Sequence, residues 1–185
     1  MDLAHERIYT VDDIYALPDG QRAELIDGQM YMMAPPNTKH QRIVGNLYAA
    51  IHHYIKAKGG SCEVFPAPFA VFLNKDSKNY VEPDITVICD KDKLDDVGCN
   101  GAPDWVIEVV SPSDPQRDYD VKLFKYRTAG VREYWIVDSR RKNVTVNYFE
   151  GNLLNIQYSF EATIKVNIYD DLYINFAEIA ELLSM

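Results

Sequence analysis

V-E-P-D-I-T-V-I (residues 81–88), D-W-V-I-E-V-V-S-P-S (104–113) and D-Y-D-V-K-L-F-K-Y-R-T-A-G (118–130) all fall between Val81 and Gly130. The first two are short apolar, β-branched runs bounded by Pro, Asp or Ser, the pattern of buried strands. Each carries one carboxylate in its interior, Asp84 in the first and Glu108 in the second. A carboxylate taken out of water is costly unless a cation or several hydrogen bonds meet it. Two of them in successive strands call for a cation. Lys122 follows Glu108 by 14 residues on a segment with helical spacing, close enough for a strand-to-helix turn to bring it back beside the strand ends. Two carboxylates and an ammonium, so placed, are the parts of a divalent-metal hydrolase site.

Outward from this stretch, strands and helices alternate. Thr10 with Asp13 reads as a capping box opening a short helix that Pro18 and Gly20 close. Residues 22–33 read as a hairpin about Asp27-Gly28, with Glu24 opposite Tyr31 and Leu25 opposite Met30. Glu24 thus points away from Leu25, and on the hairpin alone it reads as a solvated strand carboxylate. Pro35-Pro36 breaks the chain, and Thr38 with Gln41 offers a second capping box for a helix to about Lys58, ended by Gly59-Gly60. Ile43, Val44, Leu47, Tyr48, Ile51, Tyr54 and Ile55 give that helix one apolar face. His40 lies in its first turn, where a helix can face an anion; His52 and His53 read as surface or boundary residues.

Residues 62–73 give one or two strands, bent or at an edge because of Pro66 and Pro68. The acidic residues 90–101 read as a connecting loop and a candidate for mobility. Residues 111–117 open the helix of Lys122, in which Val121, Leu123, Phe124 and Tyr126 are expected to face inward and Gly130 to cap the end. R-E-Y-W-I-V-D (132–138) is a further buried strand. An antiparallel hairpin with one wet face and a last helix capped by Asn175 with Glu178 complete an α/β chain with a mixed central sheet.

The length of 185 residues fits one domain spanning 1–185. No apolar run reaches the roughly 20 residues of a membrane span, and the N-terminus lacks the regions of a signal peptide, so a cytoplasmic protein is expected. Cys62, Cys89 and Cys99, odd in number and widely spaced, read as free or buried thiols of a reducing compartment, without a zinc site. The formal charge of −9 argues against simple nucleic-acid affinity, which comes mainly from Lys and Arg. From Arg117 to Lys142, however, eight basic residues face four acidic ones, a local charge of +4.

P-D-I-T-V-I, W-V-I-E-V-V-S-P-S and D-x-x-x-K-L-x-x-Y-x-x-A-G-V-x-E-Y-W-I-V-D resemble the Uma-type family of putative restriction endonucleases, within the PD-(D/E)XK nuclease superfamily. E-L-I-D-G (24–28) and P-P-x-x-x-H-Q (35–41) match as well, so the resemblance runs from about Thr10 to Phe149. It implies a restriction-endonuclease-like central mixed sheet flanked by helices, and a Mg²⁺- or Mn²⁺-dependent DNA endonuclease. By the same resemblance Asp84 and Glu108 are the metal-binding acids, and with the Val109 carbonyl they offer hard oxygen ligands suited to Mg²⁺ or Mn²⁺. The superfamily's usual Lys, two residues after the second acid, is here Val110; Uma-type sequences resemble this chain in taking it from the next helix. That assigns Lys122, with Lys125 as the weaker candidate. Glu24 and His40 match family positions that also carry Glu and His, completing the expected catalytic set. A homodimer is the simplest way to cut two strands. The competing expectation is a catalytically silent binding or assembly module that keeps the fold.

Overall fold

The computed structural model describes residues 7–111 and 116–183. In chain order the elements are α1 (Val11–Tyr15), β1 (Ala23–Ile26), β2 (Gln29–Met32), α2 (Thr38–Lys58), β3 (Glu63–Pro66), β4 (Ala70–Phe72), β5 (Ile85–Ile88), β6 (Gly98–Asn100) and β7 (Trp105–Val109). A π-helical segment (Arg117–Lys122) then runs into α3 (Leu123–Ala129), followed by β8 (Glu133–Asp138), β9 (Asn143–Tyr148), β10 (Leu153–Ser159), β11 (Thr163–Lys165), β12 (Tyr173–Asn175) and α4 (Phe176–Leu182).

The central sheet has six strands in the order β10-β9-β8-β7-β5-β3. It is mixed: β7 and β8 are parallel, joined through the π segment and α3, and the other neighbours are antiparallel. One face buries Val87, Trp105, Ile107, Trp135 and Val137 against Ile43, Leu47 and Ile51 of α2 and against Phe176 of α4. The other face buries Ile88, Val106, Tyr134 and Ile136 against Tyr126 and Val131. Because side chains alternate along a strand, Glu108 shares the second face with Val106.

Register sets the site. Ile85 pairs with Ile107 and Thr86 with Val106; one step further along these antiparallel strands, Asp84 comes opposite Glu108, on the same face. The β1–β2 hairpin has the expected pairing of Glu24 with Tyr31 and Leu25 with Met30. Reciprocal backbone bonds between Leu25 and Tyr80 (2.6 and 2.8 Å) hold β1 beside the segment that leads into Asp84.

Several expectations need correction. The cap of α2 is Asn37, whose Oδ1 accepts the His40 N–H at 2.9 Å; Asn is at least as good a cap as Thr, and it directly follows the extended Pro pair. Cys62 and Cys89 form a disulfide, and Cys99 alone is a free, buried thiol. Glu63 pairs with Ile88, so the next step of the β3–β5 register sets the two cysteines opposite each other, a proximity that spacing in the sequence cannot reveal. The acidic connection is ordered: Asp90 caps a 3₁₀ turn (Lys91–Lys93), and β6 pairs in parallel with β4. Gly98 is required there, because any Cβ would collide with the Ala70 carbonyl. Val121 and Phe124 are exposed, at 38% and 68%. The buried stripe of this segment is instead Asp118, Lys122, Lys125 and Tyr126, since the charged groups meet their partners over the sheet end and turn the two apolar side chains outward. The π-helical opening is of the kind often found at functional sites. Of the stretch expected to open this helix, residues 112–115 lie outside the described residues.

Candidate active site

Asp84 and Glu108 meet where β5 begins and β7 ends, and the chain after β7 returns over them. Asp84 Oδ2 accepts the backbone N–H of Val109 at 2.7 Å, which ties the first carboxylate to the strand bearing the second. Glu108, 4% exposed, receives two donors on Oε1: Lys122 Nζ at 2.8 Å and the Tyr126 hydroxyl at 2.6 Å. Lys122 and Tyr126 stand four residues apart, on one side of a helical segment.

The same ammonium meets a second buried acid. Glu24, 1% exposed, accepts from Lys122 Nζ at 3.0 Å on Oε1 and 2.8 Å on Oε2, and its Oε1 also takes the Glu82 N–H at 3.1 Å. The solvated reading of Glu24 therefore gives way. The hairpin is packed on the main body, so the face that would be wet in isolation becomes interior. Asp118 Oδ1 lies 3.8 Å from Lys122 Nζ, and this pair too is buried rather than on a helix surface.

His40 enters from the first turn of α2. Its Nε2 stands 3.1 Å from Asp84 Oδ2, while its Nδ1 is buried without a hydrogen-bond partner among the described residues. Burial alone would lower the imidazole pKa. The hydrogen bond and charge of Asp84, with the Val109 backbone as a further partner, overcome this and raise it. Lys125 is elsewhere, paired with Asp27 of the β1–β2 turn at 2.5 Å.

The electrostatics are those of a site rich in negative charge. Four carboxylates (Glu24, Asp84, Glu108 and Asp118) converge on Lys122 and His40. Burial pushes the Glu108 carboxyl up to about 8; Lys122 pulls it down, and Glu24 and Asp84 push it further up. Burial likewise lifts Asp118 to about 6, against the pull of Lys122. Lys122 shifts upward despite its own burial, because Glu108 and Glu24 hold its proton. Glu108 and Asp118 are thus both held above the ordinary carboxylate range, a bias that a further cation beside them would oppose.

The cluster forms the floor of a cleft of about 560 Å³, whose walls include Met33, Pro35, Pro36 and Pro68 with Arg22 and Arg117. Arg22 is held by Glu82, which also accepts from the Tyr80 hydroxyl at 2.6 Å. All five side chains singled out in the sequence, Glu24, His40, Asp84, Glu108 and Lys122, line this one cleft. Sequence reasoning missed two partners. One is Asp118, whose i, i+4 spacing to Lys122 is that of an ordinary surface pair, and the other is Tyr126, expected only to face inward. The D-x-x-x-K-L-x-x-Y pattern contained both.

A helix-flanked mixed sheet with acids presented by adjacent strands defines a nuclease-type fold. The chain belongs to the Uma2 family, described as Putative restriction endonuclease, whose pattern matches residues 11–176. The crystal structure of a putative nuclease belonging to DUF820 from Anabaena variabilis ATCC 29413 superposes with a TM-score of 0.76 at 20% identity. The match covers 94% of this chain and 98% of that one, a likeness of fold. The uncharacterized protein slr1290 of a Synechocystis strain is 26% identical over 152 residues, which are 78% of this chain and 77% of that protein. Among the described residues no helix is long and apolar enough to cross a membrane.

Proposed function

We propose that this protein is a divalent-metal-dependent DNA endonuclease in which Asp84, Glu108 and Lys122 carry phosphodiester hydrolysis. The observation behind this is the meeting of Asp84 and Glu108 across adjacent strands, with the Lys122 ammonium 2.8 Å from Glu108. Family membership supports the same reading.

The donor set suits Mg²⁺ or Mn²⁺. Asp84, Glu108 and the Val109 carbonyl are hard oxygen donors, and the excess of carboxylates over cations favours a divalent ion. Among the described residues no three His, Cys, Asp or Glu side chains stand close enough to hold an ion by themselves. Mg²⁺ commonly takes one or two carboxylates and keeps several waters. When bound, the metal would polarise the phosphate and lower the pKa of a coordinated water. The chain's own groups do the rest. Lys122, fixed by Glu24 and Glu108, orients the attacking water or offsets charge developing on phosphorus-bound oxygen. Glu24 keeps the ammonium in place, and Tyr126 fixes the rotamer of Glu108. His40, held on Asp84 through Nε2, fixes the orientation of that carboxylate.

The purified protein should nick or cut DNA with Mg²⁺ or Mn²⁺, and Asp84→Ala should abolish this while the fold is kept. Undiminished cleavage by that variant removes the assignment. A homodimer, pairing two such sites on two strands, belongs to the same proposal. Val110 at the superfamily's usual Lys position, with the formal charge of −9, favours a second reading, a silent module retaining the fold. Calorimetry separates them, since the silent module would bind no Mn²⁺ at millimolar concentration.

A further inference from the structure

The chain carries 28 acidic and 19 basic residues, yet one end of its central sheet is basic. Arg140, Arg141 and Lys142 fill the β8–β9 turn, immediately after β8. The nearest acid in sequence, Asp138, is 4% exposed, and its Oδ1 is occupied by the N–H groups of Arg140 and Arg141, both at 2.9 Å. Arg141 leans on the Tyr119 ring and lies 3.6 Å from Asp138. Arg140 and Lys142, both exposed, have no ion-pair partner among the described residues. Lys142 is anchored by its carbonyl, which accepts the Phe160 N–H at 3.0 Å, so the turn is a fixed platform.

This turn stands beside the cleft. Lys39 Nζ donates to the Ser139 carbonyl at 3.0 Å, and the next residue of α2 is His40, whose Nε2 touches Asp84. Arg42, three residues on from Lys39, lies on the same side of the helix; neither Lys39 nor Arg42 has an ion-pair partner among the described residues. Four exposed cations, Lys39, Arg42, Arg140 and Lys142, are thus gathered at the cleft's α2 side in a protein of net charge −9.

We infer that the β8–β9 turn together with the first turns of α2 is a DNA-backbone contact surface, engaging phosphates that flank the one held in the cleft. Sequence-independent affinity for DNA resides in such Lys and Arg contacts. The fixed turn would set the strand's direction across the site, and the acidic remainder of the surface would repel other approaches. This inference rests on the hydrolytic reading for its location, but its test does not need turnover.

The test uses Arg140→Gln/Lys142→Asn, Asn being chosen because Lys142 sits at φ 53, where Asn is tolerated. Binding of a short fluorescein-labelled DNA duplex is followed by anisotropy from low to physiological salt in Ca²⁺. The full chain is expected to bind with a steep salt dependence. The double variant should lower the slope of log K against log salt by about 2 and weaken binding on the order of tenfold or more. Lys39→Gln should lower the slope by about 1. Mn²⁺ affinity and hydrolysis of bis-p-nitrophenyl phosphate should be unchanged in both. Unaltered slope and affinity in the variants, or no DNA binding by the unmodified protein, overturns the inference. Hydrolysis of the small diester reports separately on the hydrolytic reading.

Discussion

Glu24 and Lys122, 98 residues apart in the chain, meet at 2.8 Å in a position almost closed to water. The ammonium is also shared with Glu108 and lies near Asp118. Breaking a buried ion cluster by removing one partner typically costs about 3–5 kcal/mol. Lys122→Met should therefore lower stability by about that much at pH 8 in urea unfolding, and by much less at pH 5, where the abandoned carboxylates take up protons. Equal losses at both values would show that the ammonium is not what keeps these acids charged.

Ionisation of Glu108 makes metal-free stability fall as pH rises. The folded carboxyl is raised to about 8 from an ordinary value of 4.5, so between those values the folded chain binds more protons than the unfolded one. The contribution of this group is present at low pH and is lost as pH climbs through about 8, at up to about 1.4 kcal/mol per pH unit. Asp118 adds the same sign in the range up to about 6. Thermal melts in chelator should show Tm declining from pH 5 to pH 8, and Glu108→Gln should flatten the decline. Mn²⁺ should restore stability more at pH 8 than at pH 6 if the ion replaces the proton.

Tyr126 contributes one hydrogen bond to Glu108 Oε1, at 2.6 Å. Tyr126→Phe leaves packing intact and removes only that donor, so stability should change by about 1–2 kcal/mol. Turnover and Mn²⁺ affinity should both fall, because the carboxylate loses one of the two groups fixing its rotamer. Unchanged Mn²⁺ affinity by calorimetry would confine Tyr126 to packing.

The Cys62–Cys89 disulfide closes a loop with a sequence separation of 27. By the loop-entropy argument, Cys62→Ala/Cys89→Ala should lose about 3.5 kcal/mol in denaturant unfolding. A thiol count on the denatured, unreduced protein should find Cys99 alone.

Much of this was legible in the sequence because the strands are short, apolar and bounded by turn formers, and because an acid inside such a strand has no inexpensive bland explanation. The run from Glu108 to Asp138 therefore gave the α/β crossover, and Asp84, Glu108 and Lys122 could be named before their geometry was known. What stayed hidden depends on strand register and on packing between distant segments. The cysteine pairing needs β3 opposite β5; the burial of Glu24 needs the hairpin laid on residues 80–82. The outward turn of Val121 and Phe124 needs the knowledge that three charged neighbours find partners inside, a case of tertiary pairing overriding hydrophobic periodicity.

The central claim is that Asp84 and Glu108 hold one divalent ion with Lys122 at its side. A crystal grown with Mn²⁺ and measured at a wavelength giving anomalous signal tests it most directly. The expected result is an anomalous peak bonded to both carboxylates and to the Val109 carbonyl, lost in Asp84→Ala crystals of the same fold. Absence of a peak there at saturating Mn²⁺, with Lys122 still clamped between Glu24 and Glu108, would contradict the account.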